Sequence, residues 1–145
     1  MDPALIPFVV TLHDASTWFL VGLIWVIQAV HYPLFAKVGV DSFVPYQLSH
    51  VRRITPVVLP PMLIELVTAV LLAFQPEPGL TAVRWTGLAL VGSIWLSTFL
   101  VQVPLHARLE RGFDETAHRR LVGSNVWRTA AWTFRGLLVC FTWTF

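Results

Sequence analysis

The hydrophobic positions of the chain fall into four long apolar stretches that are separated by short polar segments. The stretches cover residues 8–35, 54–74, 83–103 and 125–145. Each reaches the roughly 20 residues that an α-helix needs to cross the hydrocarbon core of a bilayer. Because they occupy most of the chain, little room is left for a soluble domain. The pattern predicts an all-α fold in which residues 1–145 form a single integral membrane domain, an up-down four-helix transmembrane bundle.

The composition strengthens this prediction. Hydrophobic residues make up 56% of the chain and charged residues only 12%, about half of the roughly 25% that is typical of soluble domains. We therefore expect an integral membrane protein, in a bacterial inner membrane, whose main partner is the lipid bilayer. A homodimer or a larger membrane complex is compatible with the same composition. The one cysteine, Cys140, leaves no intrachain disulfide and no cysteine-based metal site to consider.

The basic residues indicate how the predicted bundle is oriented. Most of them lie between the first and second stretches or between the third and fourth, in residues 36–53 and 104–124. Cytoplasmic loops carry an excess of Lys and Arg, so both of these loops are predicted to be cytoplasmic and both termini outside. Orientation in the membrane accounts for the basic character, and we expect no nucleic-acid partner.

Two segments at the ends of the first and third stretches have similar sequences. Residues 28–35 read QAVHYPLF and residues 102–109 read QVPLHARL. A second pair of similar segments, SHVRRIT at 49–55 and SNVWRT at 124–129, leads into the second and fourth stretches. Nearly equal separations between the members of both pairs predict the duplication of a two-helix hairpin, whose copies have the same orientation in the membrane.

The alternation of helix direction brings these polar segments to one end of the predicted bundle. Polar side chains at this depth face the bundle interior or a wet cavity rather than lipid. Imidazole is a ligand for the transition metals Zn, Cu and Fe, and the facing helices of bundles commonly build metal sites. We therefore predict a metal site, or a set of acid–base residues, formed by His31, His50 and His106.

Other polar residues at the same end complete the candidate site. Gln28 comes three residues before His31 and Gln102 comes four before His106, so each pair shares a helix face. We predict that three amide side chains orient the histidines as outer-shell partners, namely Gln28, Gln102 and Asn125. Two arginines are predicted to hold an anionic or oxygen-rich group of the substrate, namely Arg53 and Arg128.

Two other interpretations of the histidines stay open. A histidine near a helix C-terminus often binds the free backbone carbonyl groups there, and a polar pocket can hold a substrate without any metal. His13 lies about 27 Å before His31 along a helix, and we assign it to the opposite end of the bundle. His118 falls in the polar loop and is expected to be solvated.

Two charged residues are predicted to lie near the middle of the membrane, Glu65 in the second stretch and Arg135 in the fourth. A single charge at the bilayer centre costs several kcal/mol, so we predict that these two side chains form an ion pair. The alternative is a functional role for Glu65, as a buried proton acceptor or as a metal ligand in a polar pocket.

The second predicted hairpin resembles a known family. VQVPLHARL at 101–109, followed by NVWRT at 125–129, is similar to the corresponding segments of the small four-span anthrone-oxygenase-like membrane family. The resemblance implies a four-helix membrane fold and the oxidation of an aromatic polyketide-like substrate with molecular oxygen. It marks Gln102, Asn125 and Arg128 as pocket residues. Gln102 and His106 stand where the family usually has asparagines.

Together these features predict a membrane oxidoreductase or oxygenase whose His-rich pocket, near the cytoplasmic leaflet, acts on a hydrophobic aromatic or quinone-like molecule. The candidate catalytic residues are His31, His106 and Glu65. Two alternatives stay open. One is an electron-transfer subunit with a haem held between His31 and His106, and the other is a non-catalytic accessory subunit of a larger membrane complex.

Overall fold

Within residues 1–143, which the computed structural model describes, the chain is all-helical and has no β-strand. Four long helices follow one another through short connections: α1, Pro3–Lys37; α2, Val40–Ala73; α3, Thr81–Leu109; and α4, Glu115–Thr142. Along this part of the chain, α1, α2 and α3 are long and apolar enough to cross a membrane. The all-α prediction is confirmed, and the three apolar helices support an integral membrane protein.

Two helices begin ten or more residues before the apolar stretches that predicted them. α2 begins at Val40 instead of residue 54, because Phe43, Gln47 and His50 give its first turns a buried face. α4 begins ten residues before the predicted stretch, and its first turns are rich in charged residues. An apolar stretch marks only the part of a helix that lipid can cover, whereas packing sets where the helix starts. Residues 144–145, the end of the predicted fourth stretch, lie outside the described residues.

The start of α4 is fixed by Asp114. Its carboxylate accepts a hydrogen bond from the backbone N–H of Ala117 at 2.8 Å, and it forms an ion pair with Arg108 at 2.5 Å. An aspartate in this position satisfies one of the backbone N–H groups left free at a helix N-terminus. The hydrogen bond from Ala117, with the neighbouring Arg108 guanidinium, holds the pKa of Asp114 below its usual range.

His118 is buried on the first turns of α4, so the prediction of a solvated loop histidine is wrong. Its Nε2 donates a hydrogen bond to the backbone carbonyl oxygen of Tyr32 at 2.8 Å. Its ring packs beside Phe35 and Phe113. The last carbonyl groups of a helix have no partner within the helix, and His118 satisfies one of them near the end of α1. This contact holds the first turns of α4 against the end of α1.

The four helices pack around a core of large apolar side chains. α1 packs against both α2 and α4, and α3 packs against the same two helices. The most deeply buried core side chains include Leu20, Ile24, Phe35, Phe43 and Trp132. The outer faces of the apolar helices expose many large hydrophobic side chains, as expected for surfaces that lipid covers.

Both α1 and α3 contain a π-helical turn, at Ile27–His31 and at Thr98–Gln102. Each turn lies just before a proline, Pro33 or Pro104. A proline inside an α-helix lacks an N–H group and clashes with the preceding turn, and a wider π-helical turn relieves that clash. The two segments that look alike in sequence therefore share a backbone feature as well.

Candidate functional site

The three histidines that the sequence singles out lie together where α1, α2 and α3 meet. His31 Nε2 and His50 Nδ1 form a hydrogen bond of 2.7 Å. The His50 ring also packs against the His106 ring, with centroids 5.5 Å apart. The prediction that His31, His50 and His106 share one end of the bundle is confirmed.

His106 is held by two residues that were not among the predicted site residues. The Gln47 side-chain amide donates to His106 Nδ1 at 2.8 Å, and the Tyr32 hydroxyl lies 3.0 Å from His106 Nε2. With Nδ1 accepting from Gln47, a neutral His106 carries its hydrogen on Nε2 and donates it to Tyr32. The Tyr32 O–H is then free to donate to another group.

These contacts decide how well the histidines fit a metal. One ring nitrogen of His31 and one of His50 are hydrogen-bonded to each other, and both ring nitrogens of His106 have protein partners. Within residues 1–143, no group of three or more His, Cys, Asp or Glu side chains is arranged so that it could hold a metal ion. The metal site therefore stays a prediction that this arrangement of nitrogen atoms does not support.

A haem between His31 and His106 fits the arrangement poorly. Such a haem needs its iron between the two imidazole rings, because each ring ligates one face. The His50 ring contacts both, with its centroid 4.5 Å from that of His31 and 5.5 Å from that of His106. A haem between His31 and His106 would have to break the contacts of His50 with both rings, and we assign no step to a haem.

Next to the histidines lies a cavity of about 280 Å³, the central cavity, which is lined by side chains from all four helices. Most of its wall is apolar, with Leu20, Ile24, Val58 and Met62 among the lining residues. Polar side chains gather at one end of it: Tyr32, His50, His106, Gln102 and Arg128. A small-molecule site is commonly apolar with a few convergent polar groups and a volume of about 300–1,000 Å³. The central cavity is close to the lower end of that range.

Three buried polar atoms without a hydrogen-bond partner among the described residues belong to side chains that line the central cavity. They are the Trp95 Nε1, the Gln102 Oε1 and the Arg128 Nε. Buried polar groups in folded proteins almost always have partners, so an orphaned group needs an explanation. Their grouping on residues around one cavity favours a polar ligand or ordered water as the source of their partners.

Arg128 is fixed by a chain of amide side chains. Its Nη1 donates to Asn125 Oδ1 at 3.0 Å, Asn125 Nδ2 donates to Gln28 Oε1 at 2.9 Å, and Gln28 Nε2 donates to the Val122 carbonyl oxygen at 3.3 Å. The guanidinium also lies 5.0 Å from the centre of the Trp132 ring. Gln28 and Asn125 therefore orient the arginine and not the histidines, which corrects the role predicted for them.

Gln102 and Arg53 also differ from their predicted roles. The Gln102 Nε2 donates to the Ser124 hydroxyl at 3.0 Å and its Oε1 has no partner, so among the described residues this amide makes a hydrogen bond to α4 and none to a histidine. Arg53 is exposed and lines a separate groove of about 350 Å³ between α1 and α2, together with His31 and Tyr46. Arg53 and Arg128 therefore line different spaces, and Arg128 is the one at the central cavity.

Glu65 and Arg135 form the predicted ion pair, with Arg135 Nε 3.0 Å from Glu65 Oε1. Thr17 and Trp132 also donate to the Glu65 carboxylate, at 2.9 and 3.0 Å. Trp132 lines the central cavity, but Glu65 is not among the lining residues. These contacts support a role for Glu65 in fastening helices, while its predicted catalytic role stays a prediction.

The same ion pair extends to the opposite end of the bundle. Arg135 donates to the Gly87 carbonyl oxygen of α3, and its Nη2 lies 3.3 Å from His13 Nε2. His13 Nδ1 in turn lies 2.8 Å from the Thr68 hydroxyl. His13 belongs to this network and not to the histidine cluster, and the network joins all four helices.

No protein-family model, no curated protein and no solved structure matches this chain. The resemblance of residues 101–109 and 125–129 to the anthrone-oxygenase-like family therefore stays a prediction, and function has to be argued from the site.

Proposed function

We propose that this protein binds a hydrophobic aromatic or quinone-like molecule in the central cavity and acts on it as a membrane oxidoreductase or oxygenase. The observation that carries the proposal is the set of unpartnered atoms on Trp95, Gln102 and Arg128 around an otherwise apolar space. An apolar ring system fills such a space, and oxygen substituents on one edge supply the missing hydrogen-bond partners.

The polar end of the cavity favours an oxygen-bearing edge over a nitrogen-rich one. The Trp95 indole and the Arg128 guanidinium are donors only, and Tyr32 has a free O–H when it accepts from His106. The Gln102 Oε1 is the one unpartnered acceptor on this wall among the described residues. Carbonyl, phenolic or hydroxyl oxygens match these donors and this acceptor.

Tyr32 and His106 are suited to proton transfer to or from the bound molecule. They are hydrogen-bonded to each other, and both line the central cavity. A side chain of this kind contributes to catalysis only when it reaches the proton that moves, and the Tyr32 O–H, which is not used as a donor to His106, is the group available for this. Removal of a phenolic proton would prepare an aromatic substrate for oxidation by molecular oxygen, the oxidant that the family resemblance implies.

For the membrane arrangement, we propose four spans, with α4 as the fourth, and cytoplasmic loops at 36–53 and 104–124. The packing of α4 against α1 and α3 supports its place in the bundle. The paired π-helical turns support the duplication of a hairpin. In this orientation the histidine cluster and the polar end of the central cavity lie near the cytoplasmic leaflet.

The proposal is tested by ligand binding to the full chain in nanodiscs of zwitterionic lipid. A short-chain benzoquinone should bind saturably and quench tryptophan fluorescence, because Trp95 and Trp132 line the central cavity. Val58→Phe fills the cavity and should abolish binding, while Val57→Phe, at a neighbouring exposed position, should not.

Equal binding by the two variants, or the absence of saturable binding to the wild type, would overturn the proposal. The second outcome would favour the accessory-subunit alternative, for which the buried network around Glu65 and Arg135 would be the main feature. Turnover is measured separately, as oxygen consumption with a reduced substrate, the hydroquinone form of the quinone that binds best.

A further inference from the structure

Arg128 is a buried cation without a carboxylate partner. Its side chain is 5% exposed, and none of the ion pairs among the described residues involves it. The other deeply buried arginine of α4, Arg135, is paired with Glu65. Both lie on the side of α4 that faces the bundle, about two turns apart. One of the two charges is therefore compensated by the protein, and the other is not.

The neighbours of Arg128 cannot replace a counter-ion. Asn125 offers a neutral amide oxygen, and Tyr32, which is hydrogen-bonded to Arg128, offers a phenol oxygen. The Trp132 ring attracts a cation through its π face, but this attraction leaves the Nε–H group without an acceptor. Burying a charge without a partner is strongly unfavourable, so the uncompensated state needs a reason.

We infer that the ligand of the central cavity is an organic anion, a hydrophobic body that carries a negatively charged oxygen against Arg128. This inference rests on the proposed function and narrows its substrate class. A carboxylate on an aromatic or aliphatic body, or an ionised phenol or enol, has the required chemistry. Neutral hydrocarbons and cations are excluded as preferred ligands.

The surrounding donors fit an anion better than a neutral group. The Nε–H of Arg128 and the Nε1–H of Trp95 lack acceptors, and both side chains line the cavity that Tyr32 also lines. A negatively charged oxygen accepts several hydrogen bonds at once, and hydrogen bonds to charged groups are about twice as strong as neutral ones. The apolar wall formed by Leu20, Val58 and Met62 excludes a small hydrated anion as the natural occupant.

The inference is tested with two probes of nearly the same shape, 2-naphthoate and its neutral amide, 2-naphthamide. Both are titrated into the full chain in zwitterionic nanodiscs, and their partition into empty nanodiscs is subtracted. We expect the wild type to bind 2-naphthoate roughly tenfold to a hundredfold more tightly than the amide, the range for a hydrogen bond to a charged group. A third probe, 2-naphthol, should bind more tightly as the pH is raised and its hydroxyl ionises.

Two variants separate charge from packing. Arg128→Gln should remove the preference for the anion, and Arg128→Lys, which keeps the charge, should retain part of it. Wild-type protein that binds the amide as tightly as 2-naphthoate would overturn the inference and leave the proposed function standing. Absence of saturable benzoquinone binding to the wild type would overturn the proposed function itself. If the wild type prefers 2-naphthoate and its affinity for 2-naphthol does not change with pH, the anionic group of the ligand is a carboxylate and not an ionised hydroxyl.

Discussion

Arg135 donates to Glu65 at 3.0 Å in the middle of the bundle, and this ion pair joins α4 to α2. Both side chains are about 2% exposed. The carboxylate also accepts from Thr17 of α1, and Arg135 also donates to the Gly87 carbonyl oxygen of α3. One pair of charges thus makes contact with every helix of the bundle.

Glu65→Gln is expected to destabilise the protein by about 3–5 kcal/mol, because Arg135 would stay buried without a counter-charge. The measurement is unfolding in mixed detergent micelles. Glu77→Gln breaks the half-exposed pair with Arg84 and serves as the control, with an expected loss below about 1 kcal/mol. The double variant Glu65→Gln, Arg135→Met should lose less than the sum of the single losses. Additive losses would contradict an energetic coupling between the two residues.

The substitution of methionine for arginine should have opposite effects at two positions on α4. Arg135→Met leaves Glu65 unpaired and should lower the unfolding temperature sharply. Arg128→Met removes an uncompensated charge and should leave the unfolding temperature of the ligand-free protein unchanged or raise it. Thermal unfolding of both variants without ligand measures the difference. A large loss of stability from Arg128→Met would mean that the protein itself compensates this charge.

Tyr32→Phe removes a hydrogen-bond donor from the wall of the central cavity. We expect the affinity for 2-naphthoate to fall about fivefold, which corresponds to a net hydrogen bond of about 1 kcal/mol. Tyr46→Phe is the matched control, because Tyr46 lines the groove between α1 and α2 and not the central cavity. Equal affinities of the two variants would argue against a ligand contact with Tyr32.

Metal analysis tests whether the histidine cluster binds a metal, as the sequence predicts, or is held by hydrogen bonds alone. Because four of the six ring nitrogens of His31, His50 and His106 are hydrogen-bonded to one another or to other side chains, we expect the purified protein to contain no stoichiometric Fe, Cu or Zn. A chelator should leave the unfolding temperature unchanged, and the visible spectrum should lack a Soret band. If one equivalent of metal stays bound through dialysis and is absent from His31→Ala, the predicted metal site is correct.

Asp114 should make the stability of the α4 start depend on pH. Its pKa is lowered in the folded protein by the Ala117 hydrogen bond and by Arg108, so its contribution is present above the pKa of the unfolded state, about 4. The contribution is lost as the pH falls through the folded-state value. Asp114→Ala should therefore lower the unfolding temperature at neutral pH and have little effect in acid. Asp114→Asn keeps the capping oxygen and should be milder.

Topology made part of the site predictable. Because the helices alternate in direction, residues at the ends of alternate apolar stretches lie at one end of the bundle. This argument alone predicts that His31, His50 and His106 lie together. The cost of an isolated charge in the membrane predicted the Glu65–Arg135 pair in the same way. Both arguments need only the order of the helices and the depth of each residue.

Side-chain partners within that end of the bundle depend on helix rotation, which the sequence does not show. Gln47 lies in a segment that looks interfacial, and its role appears only because α2 starts at Val40. His118 looked like a loop residue, because its partner is a backbone carbonyl on another helix. The assignment of Gln28 and Asn125 to Arg128 and not to a histidine follows from the same rotation.

The two π-helical turns have a consequence for how the cavity tolerates change. Each turn inserts one additional residue into the helix, and one residue corresponds to a rotation of about 100° around the helix axis. Tyr32 follows the first turn and His106 follows the second. Loss of a single residue from either turn would restore a regular α-helix and rotate these side chains away from their present positions at the cavity. The number of residues in each turn therefore sets the direction of the side chain that follows it. The length of the two turns is as constrained as the identity of Tyr32 and His106.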